Sequence, residues 1–234
     1  MRLAVIPARG GSKRIPRKNI RNFCGKPMLA WSIEAALASG CFDRVVVSTE
    51  DMEIAEMARQ HGADVPFLRP TSLADDYTGT NAVVAHAMEF FEARGEVMDF
   101  VACIYATAPF LRPETIREGL EVLMKNAQAQ YAATVTAFDF PIQRSLRIVA
   151  AELIMREPEF VQSRSQDLEP FFHDAGQLYW ARKDAFRVCK SPFLGRVVPI
   201  VLPPEYVQDI DTPEDWVCAE AKFRYLSEAR KWFI

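Results

Sequence analysis

Eight of the chain's 28 Lys and Arg residues fall within its first 33 positions, where none of its 31 Asp and Glu residues lies. Five of them, Arg9, Lys13, Arg14, Arg17 and Lys18, crowd one loop that also carries the adjacent glycines Gly10 and Gly11. The apolar run Leu3-Ala4-Val5-Ile6 just before it reads as a buried strand, and Pro7 then removes a backbone donor. A strand that feeds a glycine-bearing basic loop presents N–H groups and fixed cations to a polyphosphate. The pattern therefore points to a nucleoside triphosphate site. The plainer alternative is a solvated basic loop with a Gly-Gly turn, but it fits poorly with such a concentration of cations in a chain of formal net charge −3. Two familiar phosphate loops are excluded by spacing. Gly25-Lys26 is followed by Pro27, with Ile20 where a P-loop needs its first glycine, and no G-x-G-x-x-G string occurs.

A second constellation lies near the far end, at Asp209-Ile210-Asp211. Alternate side chains of an extended segment point the same way, so the two aspartates offer paired hard oxygen ligands suited to Mg²⁺ or another divalent cation such as Mn²⁺. The residues that follow make a strong helix start. Thr212 is the N-cap and Pro213 the first helical residue, with Glu214 and Asp215 placed to act on the first turn. A third group is the polar loop from Arg69 to Thr80, which includes Asp75, Asp76, Tyr77 and Gly79. Arg69 offers a guanidinium to phosphate or base, and Thr78 and Thr80 offer hydroxyl groups at a helix start. Loops of this composition also commonly do nothing but turn. Tyr105 to Pro109 follows a buried strand, at the end where open α/β sheets bind ligands. His61, His86 and His173 have no metal-ligand spacing, and no Ser-His-Asp or Cys-His arrangement is visible.

These groups need a scaffold, and the chain is long enough to supply one. Its 234 residues, half of them hydrophobic and a quarter charged, suit a single globular domain spanning 1–234. The near-zero net charge argues against general nucleic-acid binding. No signal peptide is expected, and no apolar run approaches the ~20 residues that cross a bilayer. The five cysteines are widely spaced and form no C-x-x-C, as expected of reduced thiols in a cytoplasmic protein.

The periodicity predicts strands at Leu3 to Ile6, Arg44 to Ser48, Ala63 to Leu68, Phe100 to Tyr105 and Tyr131 to Phe138. Helices are predicted at Met28 to Ser39, Asp51 to His61, Asn81 to Arg94 and Pro113 to Asn126. Continuous apolar strands alternating with amphipathic helices imply an α/β fold, a doubly wound, mostly parallel sheet covered on both faces. From Asp139 to Asp174 the alternation breaks, and the stretch is too long for a bare loop. It reads as an inserted lobe that covers the site or meets a partner subunit. The main fold resumes at Gln177 to Ala181 and Val197 to Leu202, with a last helix from Pro213.

Four strings in the same order resemble the CMP-sialic acid synthetase-like cytidylyltransferases: IPARGGSKRIPRKNI, RPTSLADDYTGT, CIYATAP and DIDTPEDW. The resemblance spans nearly the whole chain. It implies a three-layer nucleotide-diphospho-sugar transferase (Rossmann-like) fold and transfer of CMP from CTP to the anomeric hydroxyl of a nine-carbon α-keto acid sugar. On these motifs Arg9, Ser12, Lys18 and Asn19 would bind the triphosphate and activate the α-phosphate, with Lys13 and Arg14 joining the cage. Arg69, Thr78 and Thr80 match positions around the cytidine, and Asp209 and Asp211 match the metal pair. Arg9, Lys18 and Asp211 are thus the catalytic candidates. The family's members are homodimers whose lobe reaches over the neighbouring site.

FPIQRSL and DAGQLYW look most like the branch that activates pseudaminic acid, in surface or flagellin glycan synthesis. Members that use sialic acid commonly have Gln at the Tyr105 position and Asn-Gly in place of Ala175-Gly176. Gln143, Arg144, Gln177 and Tyr179 are the candidate sugar contacts, Arg144 for its carboxylate-matching fork. The rival readings are activation of N-acetylneuraminate, legionaminate or KDO, and a nucleotide-binding protein without turnover.

Overall fold

The computed structural model describes residues 1–75, 78–189 and 191–229. Asp76 and Tyr77 of the polar loop lie outside the described residues. β1 (Arg2–Pro7) runs into the basic loop, which returns through β2 (Asn22–Phe23) and β3 (Lys26–Pro27) to α1 (Met28–Ser39). Next come β4 (Arg44–Ser48), α2 (Met52–Gln60), α3 (Thr80–Glu92), β5 (Phe100–Ile104), α4 (Pro113–Lys125) and β6 (Tyr131–Ala137). A small hairpin of β7 (Leu146–Val149) and β8 (Glu152–Met155) precedes β9 (Phe172–Arg182), α5 (Ala185–Val188), β10 (Val197–Val201) and α6 (Pro213–Glu228).

Six strands form the central sheet in the order β10-β6-β9-β5-β1-β4. β1 is parallel to β4 and β5, and β10 to β6, whereas β9 runs antiparallel to both of its neighbours. Because strand side chains alternate, each buried run feeds two cores. Ala4, Ile6, Val47, Ile104 and Trp180 pack with Ile33 of α1, Ile54 of α2 and Ile116 and Leu123 of α4. Leu3, Val5, Val46, Cys103 and Tyr179 pack on the opposite face with Met88 and Phe91 of α3 and Phe186 of α5. The three-layer α/β architecture expected from the alternation is the one observed.

Ala63 to Leu68, expected as a strand, is not one. It makes a single bridge, Asp64 to Val46, and the sheet ends at β4. Pro66 has no N–H to continue a ladder. The chain turns instead and brings the Arg69 N–H to the Thr49 carbonyl at 2.8 Å. A second difference concerns the irregular stretch, read as residues 139–174. Phe172, His173 and Asp174 already belong to β9 and pair with Ala137, Thr136 and Val135 of β6. The excursion is therefore the connection of a long β6–β9 hairpin, carrying β7 and β8 away from the sheet.

A third cluster positions the site. Ile15 of the basic loop and Phe23 of β2 are buried with Met28, Phe110, Ile210 and the α6 residues Trp216, Phe223 and Leu226. Phe23 meets Trp216 and Phe223 edge-on at 5.3 and 5.5 Å. The two ends of the chain are thereby packed together, with the N-terminus of α6 against the basic loop.

Candidate active site

The C-terminal ends of β1, β4 and β5 lie side by side; the connection after β1 leads to β4 on one flank, and the connection after β5 leads toward β6 on the other. That divergence is where an open α/β sheet leaves a crevice. A cleft of about 540 Å³ opens there. Arg9, Ser12, Lys13, Arg14, Lys18 and Asn19 line one side, Arg69, Thr78 and Thr80 another, and Tyr105 and Asp211 complete it. Every nucleotide-site residue read from the sequence is thus brought to one cavity, together with one member of the aspartate pair.

The loop's shape has identifiable causes. Ile15 anchors its middle in the α6 core. Asn19 is buried and donates to the Arg9 carbonyl at 2.9 Å, tying the two ends of the loop. Arg17 adopts φ 56° and turns out of the cleft to pair with Asp51 and Glu53. Asp51 also caps α2, accepting from the Glu53 and Ile54 N–H groups. Arg17 is therefore a structural cation, which separates it from the cleft-lining ones. Lys18 reaches across the chain to the Ile210 carbonyl at 2.7 Å and to Asp211 at 3.3 Å, while Arg14 pairs with the other Asp211 oxygen at 2.8 Å. Arg9 donates to the Asp75 carbonyl at 3.2 Å, joining the basic loop to the polar loop.

On the opposite wall Arg69 is buried, and its Nη2 donates to Glu50 at 2.7 Å. Its Nε is buried without a hydrogen-bond partner among the described residues, which leaves a donor for a bound ligand. Glu50 was missed in the sequence. Its one visible signal was position, an acid pair at the C-terminal end of a buried parallel strand. Burial drives the Glu50 carboxyl upward, but the hydrogen bonds from Arg69 and the Gly10 N–H outweigh it and hold the group below the ordinary carboxylate range.

At the start of α6, Thr212 and Asp215 form a reciprocal capping box, and Pro213 occupies the first turn as expected. Asp215 is thus taken up by capping. Ile210 is buried, whereas Asp209 and Asp211 on either side of it are accessible. Asp211 faces the cleft, whereas Asp209 lines an adjoining cavity with Phe138, Phe140, His173 and Lys222. Burial and the neighbouring Asp211 charge raise the Asp209 carboxyl above its ordinary value, with Lys18 opposing. Two carboxylates that repel each other suit a shared cation. The described residues hold no metal-binding group of three or more His, Cys, Asp or Glu. The donor set fits a cation that takes one or two carboxylates and completes its shell with phosphate and water oxygens, as Mg²⁺ does.

The sugar candidates are distributed differently. Tyr179 borders a cavity of about 200 Å³ that shares Thr80 and Tyr105 with the cleft. Its hydroxyl donates to Asp174 at 2.5 Å, and its ring packs against that of Tyr105 with centroids 5.4 Å apart. Burial raises the pKa of both phenols, so they act as neutral hydrogen-bonding groups. Gln177 is buried in the bulge of β9 opposite Thr134 and donates to the Tyr206 carbonyl at 2.7 Å, away from the cleft. Gln143 donates to the Glu169 carbonyl and Arg144 to Ser165, both within the lobe, and neither lines the cleft of its own chain.

Residues 3–186 match the profile of a family described as Cytidylyltransferase. The chain belongs to the cytidylyltransferase family. It is accordingly a nucleotidyltransferase, and the motifs that resembled this family are the ones that build the cleft. Among curated cytidylyltransferases, the pseudaminic acid cytidylyltransferase of Campylobacter jejuni subsp. jejuni serotype O:2 is 41% identical over 97% of this chain and 98% of its own. The CMP-N,N'-diacetyllegionaminic acid synthase of Legionella pneumophila subsp. pneumophila is 35% identical over the same shares. A solved CMP:2-keto-3-deoxy-manno-octonic acid synthetase complexed with CTP superposes with a TM-score of 0.69, covering 96% of this chain and 98% of its own at 18% identity. That likeness establishes a shared cytidylyltransferase fold.

Proposed function

We propose that this cytidylyltransferase transfers CMP from CTP to the anomeric hydroxyl of pseudaminic acid and releases pyrophosphate. The observation that carries the reading is the single cleft in which the basic loop, Arg69 and Asp211 converge, in a chain 41% identical to a pseudaminic acid cytidylyltransferase along almost its full length. In the reaction the sugar hydroxyl oxygen bonds to the α-phosphorus as the bond from that phosphorus to the α,β-bridging oxygen breaks; the hydroxyl proton passes to solvent, and pyrophosphate leaves with the bridging oxygen and its negative charge. Catalysis of such a displacement is mostly positioning and fixed cations. Arg9, Lys13, Arg14 and Lys18 supply the cations, Ser12 and Asn19 polar contacts, and Arg69, Thr78 and Thr80 the wall for the cytidine. Asp211, with Asp209 beside it, would hold Mg²⁺ or Mn²⁺, which supplies further neutralisation of the triphosphate.

The sugar enters at the Tyr105 end, where Tyr179 and Asp174 extend the cleft. Pyrophosphate release measured with CTP and a panel of nonulosonic acids tests the assignment. Turnover is expected to be fastest with pseudaminic acid; a preference for legionaminate or N-acetylneuraminate would replace the substrate, and CTP binding without turnover on any sugar would refute the activity.

A homodimer belongs to the same reading. Phe140, Ile148 and Leu153 are 82%, 75% and 68% exposed, which concentrates apolar surface on the lobe. A two-stranded hairpin such as β7–β8 is marginal in water without a packing partner. A second copy of the chain would cover it and bring Gln143 and Arg144 toward the neighbouring site. A sedimentation mass of two chains is expected at micromolar concentration, and a single-chain mass would refute the dimer. No described helix is long and apolar enough to cross a membrane. All five cysteines are free thiols, which supports a place in the reducing cytoplasm.

A further inference from the structure

Glu50 does not line the cleft, yet it holds both of its walls. One carboxylate oxygen accepts from Arg69 Nη2 and the other from the Gly10 N–H, each at 2.7 Å. Gly10 sits between Arg9 and Ser12, which line the phosphate side. Arg69 stands on the opposite side, buried, with its Nε still to be satisfied. Neutralising Arg69 requires only one oxygen, so the second bond does something more. It fixes the entry of the basic loop against the end of β4. The fit there is close, because a Cβ on Gly10 would lie 2.5 Å from Asp51 Oδ2. The Glu50–Asp51 pair thus grips the basic loop at two points, Glu50 at Gly10 and Asp51 at Arg17.

We propose that Glu50 is a positioning residue for the nucleotide, setting the spacing between the Arg69 wall and the phosphate loop so that CTP meets both already in place. The proposal rests on the reading that CTP occupies this cleft with its base toward Arg69. Glu50→Gln keeps the shape but sets an NH₂ or an uncharged oxygen against Arg69, leaving a buried guanidinium without its charged acceptor. Loss of one partner in such a buried pair typically weakens the dependent event by roughly 10- to 100-fold.

The test is calorimetric CTP binding and steady-state pyrophosphate release by the full chain, with melting temperature as a control. Wild type that binds no CTP removes the functional reading itself. With wild type binding, Glu50→Gln is expected to raise both Kd and KM for CTP by roughly 10- to 100-fold, while kcat changes far less. A Glu50→Gln, Arg69→Ala double variant should lose less CTP affinity than the two single losses multiplied together, because part of the effect of Glu50 passes through Arg69 and part through the Gly10 loop. Glu50→Asp keeps the charge but is too short to reach both partners, and should weaken CTP binding in the same direction. It stands in if the Gln variant does not fold. Wild-type CTP affinity in a folded Glu50 variant, or strict additivity in the double variant, overturns the proposal.

Discussion

Asp211→Asn is expected to lower sugar-dependent pyrophosphate release by about 10²- to 10³-fold, the scale on which loss of a charge-organising group slows an electrostatically driven step. The helix start should survive the change. The Asp211 N–H, which donates to Asp215, is backbone, and the Thr212–Asp215 capping box does not involve the Asp211 side chain. A drop in activity with an unchanged melting temperature therefore reports on chemistry. Binding should separate from turnover. In the free protein Asp211 neutralises Arg14 and Lys18, so removing its charge releases two cations toward the cleft. CTP binding measured without divalent ions should be equal to or tighter than in wild type, while the divalent concentration that gives half-maximal rate should rise. Near-normal turnover in Asp211→Asn would sink the assignment of this residue to the metal.

That the two ends of the chain meet could be proposed from the sequence only through the resemblance. What places Asp211 against Lys18 is the packing of Ile15 and Phe23 beneath Trp216 and Phe223, and no local pattern announces a contact between residues so far apart. The alternation of apolar strands and amphipathic helices was legible because a parallel strand is buried on both faces and lacks polar positions. The same uniformity hid the direction of β9, since a continuously buried strand reads alike whichever way it runs. Ala63 to Leu68 failed for a different reason. Val65 and Phe67 gave it a strand-like look, but Pro66 leaves only one bridge to hold it to β4. Glu50 and Arg17 show the limit most clearly. Each is a charged residue in a plausible place, and only the tertiary partner decides that Arg17 faces Asp51 while Lys18 faces the cleft. Gln177 is a sugar candidate by its motif, and its position in the β9 bulge, where its carboxamide donates to the Tyr206 carbonyl, could not be read from the sequence.

Lys18→Ala should reduce kcat/KM for CTP by about 10²- to 10³-fold, a loss comparable to that from Asp211 but with a different signature. Lys18 is held for its task. Its Nζ is fixed by the Ile210 carbonyl and Asp211, and its side chain is only 18% exposed, so its charge acts where water screens it weakly. A triphosphate that enters the cleft competes with Asp211 for that ammonium, and a divalent ion on Asp211 would free it. The Ala variant keeps the Asp211 carboxylate, now paired with Arg14 alone, so the divalent requirement should stay near that of wild type while metal-free CTP binding weakens. The two single variants thus move the two readouts in opposite senses: Asp211→Asn shifts the divalent dependence and spares metal-free binding, and Lys18→Ala does the reverse. Lys18→Arg should recover only part of the loss, because a planar fork does not reproduce a compact point charge held by a backbone carbonyl. If Lys18→Ala leaves CTP binding unchanged, Lys18 serves only as the partner of Asp211, and the burden of activating the α-phosphate falls to Arg9.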